Sequence, residues 1–163
     1  MTLSLQVINP EEKHILQNLY SLYLHDLSEH TNSLELSTNG SFEFDSFDTI
    51  WEGEGLTPYY LKDKETIVGF LLLLERPFLK KEYDYSINDL FILKKYRRKG
   101  YPLLFLKELF ALKKGKYFVI ELVKNEPAVL FWKKAYQKLE IKYEEQTNTF
   151  DEDDCYIQTF EIL

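Results

Sequence analysis

The sequence predicts an α+β fold in which one mixed β-sheet of about six or seven strands is flanked by about four helices. Two observations lead to this class. Two apolar segments separated by Asp63-Lys64-Glu65 have the pattern of an antiparallel hairpin. Further along, residues 84–123 have the order strand, helix, strand, which makes the two strands parallel through a right-handed crossover. A sheet that contains both kinds of neighbour is mixed.

Length and composition indicate one compact domain over residues 1–163. The chain is 45% hydrophobic and 16% aromatic, which suffices for a sizeable core. Its longest apolar run, residues 70–74, is too short to cross a bilayer, and the first residues show no signal-peptide pattern, so we expect no membrane partner. The single cysteine, Cys155, excludes an internal disulfide and is typical of a cytoplasmic protein. The three histidines lack ligand spacing, so we predict no metal.

The first elements are a strand, a helix and a packed loop. Residues 3–8 alternate as a strand does, and Asn9 is placed to cap a helix that runs to about Ser28. Residues 31–55 are polar but carry four aromatic side chains within ten positions, which is unlike a linker. We expect a packed loop there, with a short helix near residues 47–51.

The next elements form the hairpin and the strand beside it. Residues 58–62 and 66–74 are its two predicted strands. In residues 84–93 the alternation changes phase, and four apolar residues follow in succession from Leu90. A β-bulge produces such a change, although a strand buried on both faces has the same pattern.

The second half continues with a helix, a strand, a helix and a closing hairpin. Residues 103–114 form an apolar helix that Gly115 is expected to end, and residues 117–123 form the next strand. Asn125 is a natural cap for the following helix, with Pro127 in its first turn. The predicted hairpin consists of residues 139–147 and 155–162, joined by the acidic segment 148–154.

The turn that joins the strand at 84–93 to the next helix is basic and contains a glycine: Arg97-Arg98-Lys99-Gly100-Tyr101-Pro102. The first amides of a helix have no internal partner and lie at its positive end, so they bind anions. Five of the six residues 94–99 are basic although the net charge is −7. A local positive patch on an acidic chain suits a small polyanion better than nucleic acid, and we predict no nucleic-acid partner.

These residues resemble motif A of the GNAT superfamily, the Gcn5-related N-acetyltransferases. The motif, Arg/Gln-x-x-Gly-x-Gly/Ala, stands here as Arg97-x-x-Gly100-x-Pro102. Residues 125–134, NEPAVLFWKK, resemble motif B, Asn-x-x-Ala-x-x-Phe-Tyr-x-Lys, at the proper distance behind motif A. The sequence is most similar to a bacterial subgroup of predicted acetyltransferases. The resemblance implies the GNAT acyl-CoA N-acyltransferase fold and acetyl-CoA as co-substrate.

The resemblance also implies roles for individual residues. Phe91 and Ile92 would offer backbone groups to pantetheine at the strand bulge for which the family is known. Arg97 and Arg98 would face the phosphates, and Asn125 would lie on the thioester side with Phe131. The phosphate cradle is completed by Lys99, Gly100 and Tyr101 through their backbone amides, and by Pro102 at the helix start.

The chain departs from the family pattern at three places. Pro102 has no amide, so one phosphate donor is missing and coenzyme A should bind somewhat more weakly. Trp132 stands where many members have a tyrosine that protonates the leaving thiolate; its indole N–H can hydrogen-bond to sulfur but is a very weak acid. The Gly-Phe that usually closes motif B is absent, and we expect nearby Tyr136 to pack as core.

Acetylation of an amine requires a group that takes its proton. Asp89, near the predicted bulge, is the first candidate for this base, with Asp84 and Glu121 behind it. Trp132 is retained as the second catalytic candidate, for its contact with sulfur. Cys155 is not favoured as a nucleophile, because no histidine lies near it in sequence.

The predicted function is an acetyl-CoA-dependent N-acetyltransferase that acetylates a primary amine of a small molecule or peptide by direct attack on the thioester. The alternative is a GNAT-fold acyl-CoA-binding or sensor protein with little turnover, which Pro102 and the missing tyrosine motivate. A third function, nucleic-acid binding through residues 94–99, is disfavoured by the charge. The acceptor and a homodimeric state are left open. A cationic acceptor would suit an acidic wall formed by Asp26, Glu29, Glu43 and Asp45.

Overall fold

The computed structural model describes the whole chain, Met1–Leu163, and contains a single β-sheet. The strands are β1 (Leu3–Val7), β2 (Leu56–Asp63), β3 (Thr66–Leu74), β4 (Tyr85–Ile92), β5 (Gly115–Leu122), β6 (Tyr143–Phe150) and β7 (Asp153–Ile162). The helices are α1 (Lys13–Ser28), α2 (Thr49–Glu52), α3 (Tyr101–Leu112) and α4 (Glu126–Lys138). Strand order is β1-β2-β3-β4-β5-β7-β6, and only β4 and β5 are parallel. The predicted mixed sheet is confirmed.

Helices cover both faces of the sheet and form two apolar clusters. The face under α3 and α4 contains 18 buried residues, among them Phe105, Leu109 and Tyr136. The face under α1 and α2 contains 11, including Leu16 and Ile50. The aromatic residues of the long loop before β2 pack against this second cluster, so the packed loop is confirmed, with its short helix two residues later than predicted. None of the helices is long and apolar enough to span a membrane.

The change of phase in β4 is a β-bulge. Asp89 pairs with Leu72 and Ile87 pairs with Leu73, which leaves Asn88 as an extra residue. As a result, Ile87 and then Leu90 pack toward α3 and α4, whereas Phe91 belongs to the cluster under α1. The bulge turns Asp89 away from the α4 face.

Strands β4 and β5 separate soon after they meet. They pair only at Tyr85 with Tyr117 and at Ser86 with Phe118. Beyond Ser86 and Phe118, β4 remains paired with β3 and β5 remains paired with β7. A wedge-shaped gap therefore opens in the middle of the sheet.

Three boundary predictions were wrong. Helix α3 begins at Tyr101, so Pro102 is its second residue and lies inside the first turn. Gly115 does not end that helix but begins β5, where its φ is 146° and a Cβ would collide with the Asp84 carboxylate. The Asn9 side chain makes no capping hydrogen bond, and a 3-10 turn, Pro10–Glu12, precedes α1.

The closing hairpin has a tighter turn than predicted, and its first strand begins at Tyr143, four residues later than predicted. β6 and β7 pair from Tyr143 with Phe160 up to Phe150 with Asp153, and only two residues form the turn. Both turn residues have positive φ, 47° at Asp151 and 71° at Glu152, as in the mirror-image turns that favour hairpins. The predicted acidic connection is therefore mostly strand. β6 is an exposed edge strand, and its last residues, 148–150, lack the apolar alternation that would have extended the predicted strand to them.

Candidate active site

The gap between β4 and β5 opens into a cleft of about 710 Å³. We call it the central cleft. Residues Ser86–Ile92 and Phe118–Leu122 form its two walls, the end of α1 lies on one side, and the start of α4 lies on the other. It reaches Arg97 and Pro102 at the basic turn. The cleft thus connects the turn with both faces of the sheet.

The basic turn has the backbone of an anion cradle. Gly100 precedes α3 with φ of 81°, and Arg98 has φ of 61°, so two of its residues are in the left-handed region. The N–H groups of Lys99, Gly100 and Tyr101 donate to no protein acceptor. No atom lies within 4 Å of the place where a Cβ on Gly100 would stand, so the cradle is open above the glycine. Free amides at a helix start are suited to phosphate.

Arg97 is held by contacts that the sequence did not reveal. Its Nη2 donates to Asp26 Oδ2 at 2.5 Å, and its Nε donates to the Ile92 carbonyl at 2.8 Å. Its guanidinium also lies 5.5 Å from the centre of the Phe91 ring. Asp26, at the end of α1, thereby ties that helix to the basic turn, and Lys94 approaches the same carboxylate at 4.0 Å.

Helix α4 places three predicted residues along the cleft. Asn125 caps it, because its side-chain oxygen accepts from the Ala128 N–H at 3.3 Å, as predicted. Phe131 and Trp132 pack edge to face, with ring centres 5.4 Å apart. The Trp132 indole N–H donates to no protein acceptor, although most of the side chain is buried. Tyr136 is core as predicted: it is 1% exposed and donates to Gln158 Oε1 at 2.8 Å.

Asp89 is buried on the wall nearest α1. Tyr20 donates to its Oδ2 at 2.5 Å, and Asn88 donates to the same oxygen at 2.9 Å. Burial raises the pKa of Asp89, and the hydrogen bonds from Tyr20, Asn88 and Tyr23 oppose this only in part. A carboxylate whose pKa is raised is a better proton acceptor for catalysis than an ordinary aspartate.

Glu121 is a second buried carboxyl group on the opposite wall. Only 6% of the residue is exposed, and neither of its oxygens has a hydrogen-bond partner. Burial, followed by the nearby charge of Glu145, raises its pKa to about 8. The Gln158 amide lies close but donates to Glu145 Oε1 at 2.9 Å. Glu121 is therefore a largely neutral carboxylic acid at pH 7, in a cleft otherwise rich in aromatic and aliphatic groups.

A model of the acetyltransferase (GNAT) family matches residues 16–136, well over half of the chain and including both walls of the cleft and the basic turn. The chain belongs to the GNAT acetyltransferase family. No curated protein matched the sequence.

Solved GNAT structures have the same fold over nearly the full length. An acetyltransferase from Thermus thermophilus has a TM-score of 0.69 at 16% identity, over 97% of this chain and 96% of that one. The spermidine/spermine N-acetyltransferase SpeG from Vibrio cholerae has 0.60 at 14%, over 97% and 91%. NAA60 from Arabidopsis thaliana, solved with a bisubstrate analogue, has 0.60 at 14%, over 99% and 100%. The protein therefore has the GNAT fold.

The central cleft brings together most of the predicted site residues. Its lining includes eight of them: Asp89, Phe91, Ile92, Arg97, Pro102, Asn125, Phe131 and Trp132. Arg98, Lys99 and Gly100 are exposed on the turn outside the cleft, and the Tyr101 ring is buried against the core with its hydroxyl on Asp63. Of the reserve candidates for the base, Glu121 lines the cleft. Asp84 does not, because it binds the Lys116 N–H at the opposite end of β4.

Sequence reasoning missed the environment of two of these residues. The sequence predicts only that Tyr20 and Tyr23 lie on the first helix, yet both act on Asp89 through their hydroxyls. Tyrosine within a buried helix stripe is a signal of its own, because its hydroxyl needs a partner when buried. Nothing local in the sequence indicated that Asp26 would meet Arg97.

Proposed function

We propose that this GNAT protein, acting as one domain over residues 1–163, transfers the acetyl group of acetyl-CoA to a primary amine of a small molecule or peptide. The observation that carries the proposal is the central cleft, which leads from the basic turn to a buried carboxylate whose pKa is raised. Acetyl transfer needs a suitable group at each end of the cleft. One end must bind a polyanionic carrier, and the other must accept a proton from the attacking nitrogen.

The turn would bind the phosphates of the donor. The N–H groups of Lys99, Gly100 and Tyr101 at the start of α3 have no protein acceptor, and Arg98 adds a charge next to them. Arg97 would serve the same phosphates from the mouth of the cleft. Its present partner, Asp26, is itself a carboxylate, so the guanidinium is already arranged for an anion.

The walls of the gap would hold the pantetheine arm and the thioester. Phe91 and Ile92 lie past the bulge, where β4 no longer pairs with β5, and the Ile92 carbonyl there accepts from Arg97 Nε. Phe131 and Trp132 offer apolar surface from α4. These groups would position the thioester and exclude water from it.

Asp89 would act as the base. A primary amine is mostly protonated at pH 7 and attacks only when neutral, so a proton acceptor inside the site is required. Asp89 lies on the α1 side, with Tyr20 and Tyr23 beside it, and these phenols would also orient the amine.

The predicted acidic acceptor wall is only partly assembled in the cleft. Glu29 lines it and is exposed, whereas Asp26 is paired with Arg97 and Lys94. Glu43 and Asp45 lie outside the lining. A singly charged amine therefore fits the groups present better than a polycation that needs several carboxylates.

Calorimetric titration of acetyl-CoA, followed by an acetylation assay over a panel of amines, tests the proposal. We expect Arg97→Ala/Arg98→Ala to weaken binding by about 10-fold or more at low salt, and by less at high salt, because charge pairing is screened. Lys138→Ala, a basic residue at the far end of α4, is the matched control and should bind as wild type does. Binding without acetylation of any amine would favour the acyl-CoA-binding alternative, and no binding would refute both.

A further inference from the structure

Glu121 is the one carboxyl group in the structure that is buried without any hydrogen-bond partner. Gln158 donates its amide to Glu145 and accepts from Tyr136. Buried polar groups are normally paired, since leaving one unpaired destabilises the folded protein. An unpaired acid that lines a substrate cleft points to a partner that arrives with the substrate.

The position of Glu121 mirrors that of Asp89. The last paired residues of the two central strands are Ser86 and Phe118. Asp89 lies past the first, after the extra residue of the bulge, and Glu121 lies past the second, so the two carboxyl groups line the gap from opposite strands. Asp89 faces the α1 side because of the bulge, and Glu121 shares the α4 side with Tyr117 and Val119.

We propose that Glu121 is the general acid of acetyl transfer and protonates the sulfur of coenzyme A as it leaves. This inference rests on the proposed function. The amine nitrogen forms a bond to the acetyl carbon, and Asp89 takes the proton that the nitrogen loses. The carbon–sulfur bond breaks with its electron pair going to sulfur, and the Glu121 proton goes to that sulfur, which leaves as a thiol. Solvent then returns a proton to Glu121 and takes one from Asp89.

The surroundings keep Glu121 protonated for this task. The groups that act on it from the packed elements are Glu145 on β6, Lys133 and Tyr136 on α4, and Cys155 on β7. Burial and the negative charge of Glu145 outweigh the nearby Gln158 amide and Lys133, and the pKa is raised to about 8. An ordinary thiol has a pKa of about 8.5, so the proton moves between groups of similar acidity.

Other side chains in the cleft are poorer donors to sulfur. The Trp132 indole N–H is a far weaker acid than a carboxyl group. The Tyr23 hydroxyl has a raised pKa and lies beside Asp89, on the base side. The Cys155 thiol donates to the Asp153 carbonyl, and burial raises its pKa as well. Glu121 is the donor that is both acidic enough and unoccupied.

The test measures kcat and KM against pH for the wild type and three variants. Glu121→Gln keeps the shape but carries no acidic proton, and we expect kcat to fall about 100-fold with KM for acetyl-CoA changed by no more than about twofold. The wild type should lose activity as pH rises through the pKa of Glu121, and this alkaline limb should be absent in the variant. Glu145→Gln should move the limb to lower pH. Glu144→Gln, an exposed neighbour on β6, should leave it in place.

A second readout needs no turnover. The infrared difference spectrum between wild type and Glu121→Gln should show the carbonyl band of a protonated carboxylic acid at pH 7, which disappears with a midpoint near pH 8. Absence of that band, or an alkaline limb that survives in Glu121→Gln, would overturn the assignment while acetylation by the wild type stands. A wild type that acetylates no amine would overturn the proposed function and this assignment with it.

Discussion

As pH rises, Glu121→Gln should gain stability relative to the wild type, although it alters a residue of the cleft. In the folded protein burial raises the pKa of Glu121 from 4.5 to about 8. Such a carboxyl binds its proton more tightly when folded, so its contribution to stability is complete below pH 4.5 and is lost as pH rises toward 8. Above the folded pKa the loss is constant. Glutamine does not titrate and is not subject to this loss.

The magnitude follows from the two pKa values. One unit corresponds to about 1.4 kcal/mol, so the loss at pH 7 relative to strong acid reaches about 3 kcal/mol for a fully desolvated group. Solvent enters the cleft and screens the charge, so we expect about half of this. The difference in unfolding free energy between variant and wild type should therefore grow by about 1.5 kcal/mol between pH 5 and pH 8. The accompanying shift in Tm is about 3 to 6 °C for a domain of this size.

Urea unfolding monitored by tryptophan fluorescence at several pH values measures this difference. The decisive quantity is how the difference in unfolding free energy changes with pH, because any cost of the buried amide that does not depend on pH cancels. Glu144→Gln removes a neighbouring carboxylate that is exposed on β6, and its difference from wild type should stay flat over the same range. A flat profile for Glu121→Gln as well would refute a raised pKa at Glu121.

Three further changes test the fold and the site. Gly69→Ala should destabilise the protein by about 2 kcal/mol or more in urea unfolding, because its Cβ would overlap the Phe91 carbonyl oxygen where β3 lies against β4. Asp89→Asn should lower kcat for amine acetylation about 100-fold while the circular dichroism spectrum stays that of wild type; an unchanged kcat would remove Asp89 as the base. Pro102→Ala restores an N–H at the second residue of α3, and calorimetry should show acetyl-CoA binding about 2- to 10-fold tighter. Unchanged affinity would mean that this position does not face the phosphates.

Local sequence patterns predicted much of the fold. The phase change before Leu90 fits either a bulge or a strand buried on both faces, and the structure has the bulge, with Asn88 as its extra residue. Asn125 predicted the start of α4, since a side chain that caps a helix acts on amides only a few positions away. Such features can be predicted from the sequence because the interacting groups are neighbours along the chain.

Sequence patterns gave wrong boundaries where contacts with distant parts of the chain decide how far a strand or helix extends. β6 is almost wholly exposed and polar, so its strand character comes from pairing with β7 and not from its own side chains. The acidic stretch that resembled a connection is held in the sheet by that pairing. Gly115 matched a helix stop, yet its lack of a Cβ serves the approach of Asp84 at the start of β5.

The sequence by itself determined the order of elements, the basic turn with its glycine, and the residues that form the two motifs, because each depends on periodicity or on short-range chemistry. Only the tertiary structure decided that Arg97 meets Asp26, that Asp89 lies under Tyr20, and that Glu121 is buried without a partner. These contacts join residues far apart in the chain. A shifted pKa is set by the water and charge that surround a group after folding, and no neighbour in sequence carries that information.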